Sequence, residues 1–212
     1  MVTVHDAQTD ELLQRAGAGD AQALEELLDR HRGRLLQMVA VRMDRRLASR
    51  IDASDVVQEA LAEGARRLLE YLDHRPGPFF LWLRTLAWQR LVDLSRRHLY
   101  AQRRGVVREV GWGPPLPEES AAQLVDRLVS SRTSPSGQAQ RRELRDRVRA
   151  ALGRLKPSER EVLVLRHLEQ LSTREVAAVM GVAERTVRHR QRRALESLGT
   201  LLGEGRESEG PP

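Results

Sequence analysis

Residues 171–198 read LSTREVAAVMGVAERTVRHRQRRALESL, and the fold class turns on how this stretch is read. Ser172 and Glu175 have the spacing of a capping box, in which each side chain satisfies a backbone N–H at a helix start. The helix they open, Thr173 to Met180, is short and apolar on one side through Val176, Ala177, Val179 and Met180. Gly181 follows, a residue type that takes a positive φ at no steric cost. A second helix then turns Val187, Ala194, Leu195 and Leu198 inward and carries Arg185, Arg188, Arg190, Arg192 and Arg193 on its other faces. A short helix, a glycine turn and a basic second helix make a helix-turn-helix, whose second helix enters the DNA major groove. A plain helical hairpin, or a helix-turn-helix that binds only protein, has no need of five arginines within nine residues.

Outward from this motif, helical periodicity dominates and no alternating stretch is long enough for a strand. Asp20 is placed to cap a long helix with Leu24, Leu27, Leu28, Leu35, Met38 and Val39 on one face. Asp52 is placed to cap the next, with a stripe of Val56, Val57, Ala60, Leu61, Ala65, Leu68, Leu69 and Leu72. Arg75-Pro76-Gly77-Pro78 breaks the chain. A third long helix is expected from Phe79 to Arg104, with Leu83, Leu86, Ala87, Leu91 and Leu94 inward. Residues 113–140 change character, opening with GPPLPEES and closing with SSRTSPSGQ around a weak amphipathic piece, AAQLVDRLV. That composition reads as a linker. Helices resume with Leu144, Val148, Ala151, Leu152 and Leu155, and Ser158 with Glu161 suggests a further capping box. The expected fold is all-α, with two small helical domains, 8–112 and 141–202, joined by a flexible linker over 113–140.

Composition narrows the function. The 212 residues contain no cysteine, which excludes a disulfide scaffold, a zinc ribbon and a catalytic thiol. The six histidines, at 5, 31, 74, 98, 167 and 189, never pair within a helical turn, so the helical zinc motif is absent. No phosphate-cradling glycine loop, nucleophile elbow or metal-spaced carboxylate cluster occurs. The expectation is a chain that is not an enzyme by itself and takes no cofactor or metal. No apolar run reaches ~18–20 residues, and the N-terminus lacks the pattern of a secretory signal. A soluble cytoplasmic protein with no membrane contact is expected.

The net charge of +6 is unevenly spread. Residues 71–112 and 141–212 each carry +5, while residues 1–70 carry −3. Two separate basic blocks suggest two contacts with a polyanion. Of 36 basic residues 35 are arginine, the type suited to bidentate phosphate and guanine contacts, although a GC-rich genome favours it too. The seven aromatic residues, Tyr71, Phe79, Phe80, Trp82, Trp88, Tyr100 and Trp112, all fall in the first basic block. Rings among arginines suit single-stranded nucleic acid, since rings stack on bases while arginines hold phosphates. The alternative is an aromatic core, for which Phe79 and Trp82 are the first candidates. The acidic start of the second long helix, Asp52, Asp55, Glu59 and Glu63, is explained either by the helix macrodipole or as a dock for a basic partner.

Taken in order, IDASDVVQEALAEGARRL (51–68), FFLWLRTLAWQRLVDLSRRH (79–98) and the stretch at 171–198 resemble successive signatures of the extracytoplasmic-function (ECF) sigma factors of bacterial RNA polymerase. The resemblance spans roughly residues 8–202. It implies that 8–112 is sigma region 2, which binds core polymerase at its clamp helices and melts the −10 element. It implies that 141–202 is sigma region 4, which reads the −35 element, and that the linker runs along the RNA exit path. By the same resemblance Asp52, Asp55, Gln58 and Glu59 are core-polymerase contacts. His74, Arg75, Phe79, Phe80, Trp88, Gln89, Arg96 and Arg97 face the −10 DNA, and Arg185, Arg188, His189, Arg192 and Arg193 face the −35 DNA. The implied partners are core RNA polymerase, promoter DNA both duplex and single-stranded, and an anti-sigma factor. The chain departs from many relatives at Leu86-Ala87-Trp88-Gln89, where they have Ile-Ala-x-Asn, and in the short loop HRPGPFF; both departures bear on −10 sequence preference. A stand-alone helix-turn-helix regulator, which usually dimerises on paired half-sites, and a protein-sequestering adaptor are the competing functions. No dimerisation heptad favours the first, and the basic helix and clustered aromatics are superfluous to the second.

Overall fold

The computed structural model describes residues 4–98, 116–130 and 138–207, and every regular element among them is helical. The chain divides into two compact units at Pro114/Pro115.

The first unit holds α1 (Val4–Gly17), α2 (Ala21–Arg42), α3 (Arg45–Ala48), α4 (Ala53–Arg66), α5 (Leu68–His74) and α6 (Phe79–His98). Three of these helices start on aspartate. Asp20 accepts from the Ala23 N–H at 3.0 Å, Asp44 from Arg46 at 2.8 Å and Asp52 from Ser54 at 2.7 Å, each satisfying a donor that the helix cannot. The centre of the unit is α2, packed on α1, α4 and α6, with α4 also laid on α6. Leu27, Leu35, Val39, Val56, Val57, Leu83 and Leu91 are fully buried there, as the apolar stripes require. Gly64 sets the approach of α4 to α6: a Cβ at this position would lie 2.5 Å from Leu83 Cδ2.

Two expectations for this unit need correction or restriction. The helix from Asp52 does not run unbroken to Leu72. Its backbone leaves helical values at Arg67 (φ −102°, ψ 15°), and α5 begins afresh. With α5 burying Leu68 and Tyr71, Leu69 turns outward and is 70% exposed, so it leaves the stripe. The continuation of α6 to Arg104 lies outside the described residues.

The second unit holds α7 (Glu118–Ser130), α8 (Gln138–Arg154), α9 (Pro157–Leu163), a π-helical turn over Val164–Leu168, α10 (Thr173–Met180) and α11 (Glu184–Glu207). The weak amphipathic piece within the expected linker is α7, and it packs on α8 and the π-helical turn. Leu124, Val125, Leu128 and Val129 repeat at i, i+1, i+4 and i+5, which makes one face broad enough to bury. Asp126 pairs with Arg145 at 2.6 Å, and Arg127 donates to the His167 carbonyl at 2.5 Å. Prolines and serines at its ends obscure this helix in the sequence; residues 113–115 and 131–137 of the expected linker lie outside the described residues.

The expected box of Ser158 and Glu161 does not form. Pro157 takes the first helical position, where its missing N–H costs nothing, so Lys156 becomes the cap residue and makes no side-chain bond. Val148, Ala151, Leu152 and Leu155 are buried as expected. Among the described residues, no helix is long and apolar enough to cross a membrane, and no group of ligating side chains is arranged to hold a metal.

The close approach at Gly64 carries a prediction. Leu83 is fully buried and Trp82 and Leu86 also lie within 4 Å of the added Cβ, so Gly64→Ala is expected to destabilise the first unit by about 1–3 kcal/mol. Gly33→Ala, on an exposed stretch of α2 with nothing within 4 Å of the added Cβ, is expected to stabilise by about 0.5–1 kcal/mol. Urea unfolding of both variants checks the contrast, and equal midpoints would contradict it.

Candidate nucleic-acid interface

A short helix, a left-handed glycine and a long second helix follow one another here. The Ser172 N–H donates to Glu175 Oε2 at 2.8 Å and the Glu175 N–H to Ser172 Oγ at 3.2 Å, so both halves of the capping box are present. Gly181 ends α10 in the left-handed region (φ 62°, ψ 35°). There the Gly181 N–H bonds the Ala178 carbonyl and the Val182 N–H the Ala177 carbonyl. This turn aims α11 across α10. Val187, Ala194 and Leu198 of α11 are buried, and α8, α9 and α10 all pack on the helix.

Opposite that apolar side, Arg185, Arg188, His189 and Arg192 are exposed. Arg188 donates to Glu184 at 2.6 Å, Arg192 lies 3.6 Å from Glu196, and Arg192 reaches His189 Nδ1 at 3.5 Å. Arg188, Gln191, Arg192, Leu195 and Glu196 line a shallow groove along this side. Ion pairs between such exposed groups contribute ~0–1 kcal/mol, so either arginine exchanges its carboxylate for a phosphate at little cost. Arg193 stands apart. Its Nε lies 3.5 Å from Glu159 Oε1 of α9. Arg190 is half-buried beside the core.

The first basic block divides into a core and a rim. Phe79 and Phe80, expected at the −10 DNA, are buried rings at 2% and 5% exposure. Phe79 stands edge-on to Tyr71 at 5.0 Å and lies 5.5 Å from Trp82, while His31 of α2 approaches Phe79 and Phe80 at 5.6 and 5.9 Å. Neither phenylalanine offers a free face to a base. The aromatic concentration is therefore largely packing at this point, and the alternative of an aromatic core holds for Phe79, Phe80 and Tyr71.

The loop that leads into these rings is exposed from His74 to Pro78 and pinned from below. Tyr71 donates its hydroxyl to the Gly77 carbonyl at 2.8 Å, and burial pushes the phenol's pKa up, which keeps that proton in place. Arg75 closes α5 in the left-handed region (φ 39°, ψ 61°), its N–H bonded to the Tyr71 carbonyl at 2.7 Å. Trp88 is half-buried, with the Arg42 guanidinium 5.7 Å from its ring centroid. Gln89, Arg96 and Arg97 are exposed on α6. Arg84, a further arginine of this block, is buried. Tyr100 and Trp112 lie outside the described residues.

On α4, Asp52 is the N-cap and Asp55, Gln58 and Glu59 are exposed. Asp55, Gln58 and Glu59 line a groove of about 600 Å³ together with Ile51, Arg90 and Leu94. Glu59 pairs with Arg90 of α6. The Arg90 partner is not legible in the sequence, because the two residues meet only when α4 lies on α6. Nor did it mark Arg34 over Phe80, 3.6 Å from the ring centroid, or Glu159 beneath Arg193.

The chain is similar to several known proteins. A family model described as Sigma-70, region 4 matches residues 145–198. The chain is 30% identical over 198 residues to the ECF RNA polymerase sigma factor BldN of Streptomyces coelicolor, covering 92% of this chain and 66% of that protein. It is 33% identical over 145 residues to the RNA polymerase sigma-E factor of Streptomyces avermitilis, covering 66% of this chain and 78% of that protein. Among solved structures, that of CnrH in complex with the cytosolic domain of CnrY matches at a TM-score of 0.51 and 25% identity, covering 93% of this chain and 98% of that one.

The cap on α4 yields a pH prediction. The Ser54 N–H, followed by the Ser54 side chain, holds the Asp52 carboxyl below its ordinary 3.8 against a weak opposing effect of burial. A depressed folded pKa contributes stability above the unfolded value, and this is lost as pH falls through the depressed one. Asp52→Asn keeps the capping oxygen but cannot titrate. Its stability is expected to match the parent near neutral pH and to fall less steeply below pH 3.8. Denaturation midpoints across that range check this, and an acid limb identical to the parent's would contradict it.

Proposed function

The chain belongs to the extracytoplasmic-function sigma factors of bacterial RNA polymerase, and from that premise we propose that α11 reads the −35 element while the N-terminal unit opens the −10 region. Promoter-specific transcription with RNA polymerase is the function that membership carries. The observation that supports the finer reading is the two-sided build of α11. Its buried side fixes the helix to the unit, and its other side presents Arg185, Arg188, His189 and Arg192 with only weak intrahelical partners. A helix so built is suited to the major groove, where arginine meets guanine edges and phosphates.

In the N-terminal unit the proposed −10 contact is the rim, not the rings. His74, Arg75 and the Pro76-Gly77-Pro78 turn form an exposed loop whose shape is set by the Tyr71 hydroxyl, so a captured base meets a surface already ordered. Phe79 and Phe80 serve beneath it as its seat. Trp88 and Gln89 flank it on α6, and Arg96 and Arg97 supply phosphate contacts further along. Gln89 offers the same amide groups as asparagine with one methylene more reach, which is a reason for an altered −10 preference.

The α4 face of Asp55, Gln58 and Glu59 is the proposed dock for the polymerase clamp helices, with Asp52 both capping the helix and contributing charge. An anti-sigma factor is the further proposed partner, and work with polymerase on chromosomal promoters places the chain in the cytoplasm. The chemistry of RNA synthesis belongs to the polymerase; this chain contributes recognition and strand capture.

Arg188→Ala combined with Arg192→Ala tests the −35 assignment. Each lost base contact is expected to cost about 1–3 kcal/mol of promoter binding and relax one position, whereas each lost phosphate contact lowers the salt slope by about 1. Promoter binding by the reconstituted holoenzyme, measured across salt, reads both. An unchanged affinity and slope would remove α11 from the reading.

A further inference from the structure

We infer that Arg193 is a positioning residue that holds α11 at its working angle on α9 through Glu159, and that it does not belong to the DNA-reading face; this rests on α11 being the reading helix. An α-helix turns about 100° per residue. Measured from Val187 at the middle of the buried side, Arg188, Arg192 and Arg185 fall at about 100°, 140° and 160°. His189 falls at about 200° and Arg193 at about 240°, so Arg193 stands at the edge of that face, on the flank away from Arg188.

Its partner also sets Arg193 apart. Arg188 and Arg192 pair with Glu184 and Glu196 of their own helix, and those acids are 43% and 64% exposed. Arg193 pairs across to α9, and Glu159 is 6% exposed. Glu159 sits in the first turn of α9, where the helix start favours a negative charge. A carboxylate buried this deeply needs an opposite charge beside it. Swinging Arg193 away to a phosphate would strand that carboxylate, whereas swinging Arg188 or Arg192 strands nothing. Arg193 is thus committed to the protein, and α9 and α11 are pinned together at the end of the face that Arg188 and Arg192 present.

The test uses holoenzyme reconstituted from the full chain and core polymerase, bound to a promoter duplex that it transcribes, across a range of salt. Arg188→Gln is expected to lower the slope of log K on log salt by about 1. Arg193→Gln is expected to weaken binding several-fold with the slope unchanged, because no phosphate contact is lost. Glu159→Gln should produce a similar loss, and the double variant should bind no worse than either single one, as coupled residues do. Circular dichroism and the unfolding midpoint confirm that binding is compared between folded proteins. A slope lowered by about 1 in Arg193→Gln would overturn the inference, as would losses at the two positions that add in the double variant. Unchanged affinity and slope in Arg188→Gln would overturn the reading of α11 itself, and the positioning role with it. The two failures are told apart by which variant carries the slope change.

Discussion

The C-terminal unit depends on the buried side of α11. Val187, Ala194 and Leu198 meet α8, α9 and α10 together, so one stripe of small and medium apolar side chains holds four helices in register. Everything the opposite side presents is aimed by that packing. The capping box at Ser172 and the left-handed Gly181 serve the same end, since they fix where α10 stops and at what angle α11 leaves. The arginines themselves add little to stability. Their intrahelical pairs are exposed and weak, so the guanidiniums can exchange those carboxylates for another anion at little cost.

The N-terminal unit solves a related problem differently. Here a central helix, α2, is wrapped by α1, α4 and α6, and the rings concentrate where α5 meets α6. Tyr71 links the two roles of this region. Its ring packs with Phe79 and Trp82 while its hydroxyl holds the Gly77 carbonyl, so the shape of an exposed loop is fixed by a side chain of the core. Two separately packed units each present exposed arginines, which is the arrangement that the proposed contacts at two spaced elements require.

The parts of this structure legible in the sequence are those set by near neighbours in the chain. Asp20, Asp52 and the Ser172–Glu175 box announce helix starts within four residues, and Gly181 announces a turn by its own backbone freedom. Where two local signals competed, the sequence misled: Ser158 looked like a cap, but Pro157 one residue earlier starts the helix. Features made by distant residues were illegible. The burial of Phe80 depends on His31 and Arg34, the packing of α7 depends on α8 and the π-helical turn, and the pairing of Arg193 depends on Glu159 of α9. Nothing near Arg193 in the sequence marks Glu159 as its partner, because the two meet only when α11 lies on α9.

Transcription tests the central claim most directly. Core RNA polymerase, with and without this chain, is given a library of bacterial genomic promoter fragments, and the 5′ ends of the run-off products are sequenced. The account predicts a set of start sites that appear only when the chain is present, preceded by shared −35 and −10 elements. An identical set of products with and without the chain would contradict it.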